Sequence, residues 1–157
     1  MRTTISDPVT IHRVGADEAS FVEVFSLLLE EHKEVACASL DAEKASRHCY
    51  TILQEGMTFV ARNGQGEAVG TLSLTEHEHW YSKESALFDG WFYVKPAYRN
   101  NTVGADLMKA ARAVAEAKNL LVFIWTTNPH RRPKKTSMTL MAQLAGFMPS
   151  GYLLKLR

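Results

Sequence analysis

Hydrophobic and polar positions along this chain switch repeatedly between a period of two and a period near 3.6. Ile11-His12-Arg13-Val14 reads as a first strand. Ala16 through Glu31 then carries Phe21, Val24, Phe25, Leu28 and Leu29 on one helical face, with Asp17 or Gly15 as its cap. A second helix is predicted over Asp41 to Glu55, opened by an acid in its first turn and closed by Gly56, with Ala45, Cys49, Ile52 and Leu53 inward. Met57 to Ala61 and Ala68 to Leu74 are β-branched and apolar runs separated by Asn63-Gly64-Gln65-Gly66, which predicts an antiparallel hairpin. Ala86 to Val94 follows as another strand.

Past Val94 the pattern changes abruptly. Pro96 lacks an N–H and ends the strand, and from Val103 the helical period returns, with Leu107, Ala111 and Val114 on one stripe and Lys109, Arg112, Glu116 and Lys118 largely off it. The turn between them, Lys95 to Thr102, therefore opens a helix whose first N–H groups have no internal acceptor and sit at the positive end of the peptide dipoles. An anion rich in acceptors, such as a nucleotide-like phosphate, suits that position; Gly104 permits close approach and Arg99 adds charge. Leu120 to Trp125 is an unbroken apolar run, as expected of a parallel strand covered on both faces. Ser137 to Ala145 reads as a short helix, followed by Gly146-Phe147 and a last strand over Tyr152 to Leu156.

Composition narrows the class. A chain of 157 residues with 46% hydrophobic content is long enough for one domain with a real core, and no boundary or repeat divides 1–157. A formal charge of +1 provides no global field for nucleic acid or membrane, and the longest apolar run is far short of a membrane span. Cys37 and Cys49 form no C-x-x-C pair, and the start of the chain carries no apolar signal segment, so a reducing cytoplasm is the expected setting.

The segment from Arg99 through Thr102, Gly104, Ala105 and Leu107 resembles the acetyl-CoA signature of the GNAT acetyltransferase superfamily: Arg or Gln, two residues, Gly, one residue, then Gly or Ala. Thr102 stands where that signature has its first Gly. The order of elements is also similar across most of the chain. The resemblance implies an α/β fold with a mixed, mostly antiparallel sheet, one parallel splayed strand pair, and flanking helices. It implies acetyl-CoA as co-substrate: Phe92, Tyr93 and Val94 would offer backbone groups to the pantetheine arm and acetyl carbonyl, Asn100, Asn101, Thr102, Val103, Gly104 and Ala105 would wrap the pyrophosphate with Arg99, and Asn128 would touch the arm. The implied reaction moves an acetyl group to an amine on a small molecule or protein, and leaves open a homodimer through the final strands.

Catalytic side chains are less plainly marked. Steps of two back from Val94 give Phe92, Gly90 and Phe88, none of them a base, so Asp89 becomes the candidate if a bulge at Gly90 re-aims it. Ala142 occupies the place of the family's frequent acid Tyr, and Tyr152 is the candidate substitute. These departures motivate a second reading, a CoA-binding protein of the same fold without chemistry. His77 and His79 would share a face if their strand extends that far, but two nitrogens from one segment do not make a metal centre, and no metal is expected. The basic run His130 to Lys135 motivates a third reading, a transferase directed at nucleic acid. The run lacks interleaved aromatics, so base recognition has little support.

Overall fold

The computed structural model describes residues 8–35, 38–99, 101–125 and 143–147. Its elements are β1 (Thr10–Val14), α1 (Glu18–Val35), α2 (Ala42–Gln54), β2 (Thr58–Arg62), β3 (Ala68–Glu78), β4 (Ser85–Val94), a single 3₁₀ turn (Pro96–Tyr98), α3 (Val103–Lys118) and β5 (Val122–Phe123). The five strands form one sheet in sequence order. Every neighbouring pair is antiparallel except β4 and β5, which are parallel.

The helix starts follow from their caps. Asp17 accepts hydrogen bonds from the Ser20 amide at 2.9 Å and its hydroxyl at 2.7 Å, and Asp41 accepts from the Lys44 amide at 3.0 Å. Gly56 ends the α2 turn with φ +72°, a conformation that a side chain disfavours. Helix α1 runs four residues beyond the expected Glu31, because nothing in His32-Lys33-Glu34-Val35 breaks it. Strand β3 likewise continues past Leu74 to Glu78.

Strand alternation sorts the sheet into two apolar layers. Phe59, Leu72, Leu74, Leu87 and Val94 face α3 and pack with Val103, Leu107 and Ala111. Val60, Trp91 and Tyr93 face the other way, against Val24 and Leu27 of α1 and Cys49, Ile52 and Leu53 of α2. Leu27, which lies outside the expected α1 stripe, is among the most buried residues of that helix, whereas Phe21 and Phe25 are only partly covered. A polar thread crosses this layer: the Trp91 indole donates to the Thr71 hydroxyl at 3.0 Å, and that hydroxyl donates to the Phe59 carbonyl at 2.9 Å. The Cys49 thiol is buried here and burial pushes its pKa up to about 11.

Strand β5 departs from the expectation of a long covered strand. Only Val122 and Phe123 pair, both half-buried, and Leu121 and Trp125 beside them are exposed. The helix expected over 137–145 and the strand over 152–156 lie outside the described residues apart from 143–147.

Candidate functional site

The site grows from an irregularity in β4. Ser73 pairs with Trp91 but Leu74 pairs with Asp89, so Gly90 is an extra residue on β4, the bulge on which Asp89 depended. A Cβ on Gly90 would lie 2.6 Å from Ser73 Oγ and 2.9 Å from Ile52 Cδ1, so any larger residue beneath α2 would force those side chains to shift. The bulge resets the side-chain parity. Asp89 now shares the sheet side of Leu74, Phe92 and Val94, while Phe88 lies on the opposite side.

The bulge is also where β5 leaves. Pairing between the two parallel strands stops at Phe88 and Phe123, and the Trp125 amide donates to Asp89 Oδ1 at 3.0 Å. From Trp91 to Val94 the β4 edge facing β5 therefore has no strand partner among the described residues. Burial pushes the Asp89 carboxyl above its ordinary value, opposed by the Trp125 and Asp89 amides.

At the far end of this free edge, α3 presents its N-terminus. Val103, Gly104 and Ala105 occupy its first turn and are all buried. The Val103 amide donates to Asn101 Oδ1 at 3.1 Å. Thr102 has φ −84°, so the Thr-for-Gly departure costs no backbone strain; its hydroxyl donates to Asp106 Oδ2 at 2.9 Å. Arg99 is held elsewhere than the helix start. Its Nε donates to the Val94 carbonyl at 2.7 Å, its terminal nitrogens grip the Glu34 carboxylate of α1, and its guanidinium lies 5.5 Å from the Tyr93 ring centroid. Glu34 holds the Arg99 pKa above its ordinary value. Asn100, Asn128 and Tyr152 lie outside the described residues, as does the run 130–135.

One residue joins this group that the sequence pattern did not single out. Glu31, one helical turn before Glu34, is half-buried over β4 and has no hydrogen-bond or ion-pair partner among the described residues. Burial pushes its pKa up to about 7; Glu34 adds to the rise, Arg99 opposes it, and Asp89 adds a little more. In the sequence Glu31 is one of several acids at the end of an amphipathic helix, and no spacing rule separates it from its neighbours. No group of three metal-ligating side chains occurs among the described residues, and no helix among them is long and apolar enough to cross a membrane.

This arrangement of a bulged strand, a parallel neighbour that leaves at the bulge, and an open helix start can be set beside known proteins. The sequence model of the acetyltransferase (GNAT) family matches residues 21–134, which run from within α1 through β5. The chain belongs to the GNAT family. No curated protein matches the sequence closely enough to count as a relative. Among solved structures, the GNAT fold recurs in AAC(6')-Iy in complex with a bisubstrate analog, CoA-S-monomethyl-acetylneamine, with a TM-score of 0.68, 17% identity, and coverage of 96% of this chain and 97% of that one. It recurs in the aminoglycoside acetyltransferase meta-AAC0020 from an uncultured soil metagenomic sample, in complex with sisomicin, with a TM-score of 0.66, 16% identity, and coverage of 95% and 94%. The ribosomal-protein-alanine N-acetyltransferase of Brucella melitensis biovar Abortus 2308 gives a TM-score of 0.59 at 17% identity, covering 95% and 99%. At these identities the likeness establishes a shared fold, the mixed sheet with one parallel pair and flanking helices.

Proposed function

We propose that this GNAT protein is an N-acetyltransferase that uses acetyl-CoA as co-substrate and moves the acetyl group to an amine. The observation that carries this reading is the opening of the sheet at Gly90, where β4 loses β5 and exposes a strand edge that leads to the start of α3. An extended arm with amide groups can bond along the open edge of Phe92, Tyr93 and Val94, where the Val94 carbonyl already accepts from Arg99 Nε, and the pyrophosphate can sit on the first turn of α3 at Asn100, Asn101, Thr102, Val103, Gly104 and Ala105. The buried, small-residue start of the helix fits such a cradle. Arg99 retains N–H groups beyond those spent on Glu34 and Val94. Asn128 is assigned to the arm by family resemblance.

When bound, the co-substrate supplies a thioester, an acyl group on a good leaving group. The remaining work falls to the protein. The acceptor nitrogen must lose a proton before it attacks the acetyl carbonyl carbon, and Asp89, at the gap and made more basic by burial, is assigned that proton. The C–S bond then breaks with its electron pair on sulfur, and Tyr152 is assigned the proton that neutralises the thiolate. The net change is one acetamide, one thiol and one proton released from an ammonium and a thioester.

Calorimetric titration with acetyl-CoA, with CoA and ATP as controls, tests the first half; binding of acetyl-CoA over ATP is expected, and equal or absent binding overturns the assignment. Thiol release with added amines tests the second. Asp89→Asn is expected to slow it by about 10²-fold. A parent protein that binds acetyl-CoA yet releases no thiol with any amine supports the reading of a CoA-binding protein without chemistry.

A further inference from the structure

The face of β3, β4 and β5 that α1 and α2 leave uncovered is built of rings. Because of the bulge, Phe88 lies on this side, stacked on Phe123 with centroids 5.5 Å apart and planes at 19°. His79 sets its edge against both, at 6.2 Å from Phe88 and 6.4 Å from Phe123, and stacks on Tyr81 at 5.2 Å. His77 tilts over the far side of Phe88 at 6.3 Å. Phe88, His79 and Phe123 are half-buried, while Tyr81 and Trp80 at the hairpin tip are exposed, Trp80 to 95%. Offset and edge-on rings of this kind are the arrangement in which another flat ring finds favourable contacts.

The charges around this wall are largely matched. Glu34 is gripped by Arg99, Glu30 and Glu67 both lie on Lys95, Glu76 pairs with Lys118, and Asp89 accepts the Trp125 amide. Among the half-buried acids Glu31 is the exception, while Glu78 and Glu84 on the hairpin that carries His79 are exposed and also have no ion pair among the described residues. Glu31 is half-buried, has no hydrogen-bond or ion-pair partner among the described residues, and is near enough to feel the charges of Arg99 and of Asp89, the residue after Phe88. A carboxylate left without a partner in a half-buried position favours a bound cation.

We propose that the ring wall of Phe88, Phe123, His79 and Tyr81 together with Glu31 forms the acceptor seat, and that the acceptor is an amine borne on an aromatic ring system by a short chain. The rings hold the flat body and Glu31 holds the ammonium beside the gap, from which Asp89 takes the proton. The assignment rests on the acetyl-transfer reading above.

The test compares 2-phenylethylamine, n-butylamine and putrescine at saturating acetyl-CoA by thiol release. The aryl amine is expected to exceed both aliphatic amines in kcat/KM by tenfold or more, and Phe88→Ala is expected to bring the aryl-to-alkyl ratio within threefold of unity. Glu31→Gln is expected to raise KM for the aryl amine at least tenfold with a smaller change in kcat, and to remove the rise of kcat/KM through about pH 7 that deprotonation of Glu31, facing Glu34, Asp89, Tyr93 and Arg99, imposes on the parent. A readout that needs no turnover is the proton resonance of the His79 ring, which should move on addition of 2-phenylethylamine and not of n-butylamine. Equal use of aryl and alkyl amines, or an unmoved His79 signal, overturns the seat while leaving acetyl transfer intact. Acetyl-CoA binding without acetylation of any amine overturns both.

Discussion

Upstream of Gly90, β4 pairs with β5 through Leu87 and Phe88 and lays Phe88 among other rings on an open face; downstream, Trp91 and Tyr93 are buried beneath α1 and α2 while Phe92 and Val94 pack toward α3. The residues of the two halves are similar in kind, aromatic and aliphatic in both. What differs is the hydrogen-bonding partner on the β5 side, present upstream and absent downstream, and the cover of α1 and α2, absent over Phe88 and present over Trp91 and Tyr93, while α3 covers the other face of both halves. One inserted residue produces this division, since it flips side-chain parity and carries β4 away from β5 in the same step. A strand built from uniform chemistry thus becomes framework at one end and binding edge at the other.

The contrast can be broken most severely from the framework side. Leu72 is fully buried opposite Phe92, and Leu72→Ala should cost about 2–5 kcal/mol in denaturant unfolding, with a loss of activity no larger than the loss of folded protein. Gly90→Ala acts on the division itself. Its Cβ meets Ser73 Oγ and Ile52 Cδ1, so unfolding should lose about 1–3 kcal/mol, while thiol release falls further than the folded fraction because Asp89 is re-aimed. Retention of full activity in a destabilised Gly90→Ala protein would separate the bulge from function.

Arg99→Ala sharpens the comparison on the binding side. Its pair with Glu34 is partly exposed, so the stability change should stay within about 1 kcal/mol. Acetyl-CoA affinity in calorimetry should fall by more than that difference explains. Glu31 provides a pH signature. Its folded pKa of about 7 lies above its ordinary 4.5, so between those values the folded protein holds a proton that the unfolded chain has released, and stability falls as pH rises across the window. Glu31→Gln should flatten that fall in melting curves taken from pH 4.5 to 8, and an unchanged slope would place the titration elsewhere. The smallest effect belongs to the solvent face of α3, where Arg112→Ala, removing the i,i+4 pair with Glu116, should change stability by under about 0.5 kcal/mol.

Much of this division could be read from residue order. Val103 as the first residue of α3, Asp17 and Asp41 as caps, the hairpin at Asn63 to Gly66 and the bulge that re-aims Asp89 are local matters, decided by a few neighbouring residues whose preferences agree. Other features depended on contacts between distant segments. The apolar run 120–125 has the composition of a full strand, yet Trp125 gives its amide to the carboxylate of Asp89, 36 positions away, rather than to a strand carbonyl. Glu31 is inconspicuous in sequence because its burial is conferred by β4. Arg99 was expected to add charge at the helix start, and in the fold the same guanidinium meets Glu34, sixty-five positions away.

The sulfur of Cys49 offers one further use of the inner layer. With its pKa pushed up to about 11 by burial, the thiol stays protonated near pH 7, and its place between α2 and the sheet shields it from reagents. In a Cys37→Ser background, alkylation of Cys49 therefore waits on separation of α2 from the sheet. Its rate is a stopwatch for that breathing motion, and a ligand gripping both α1 and β4 should make it run slow.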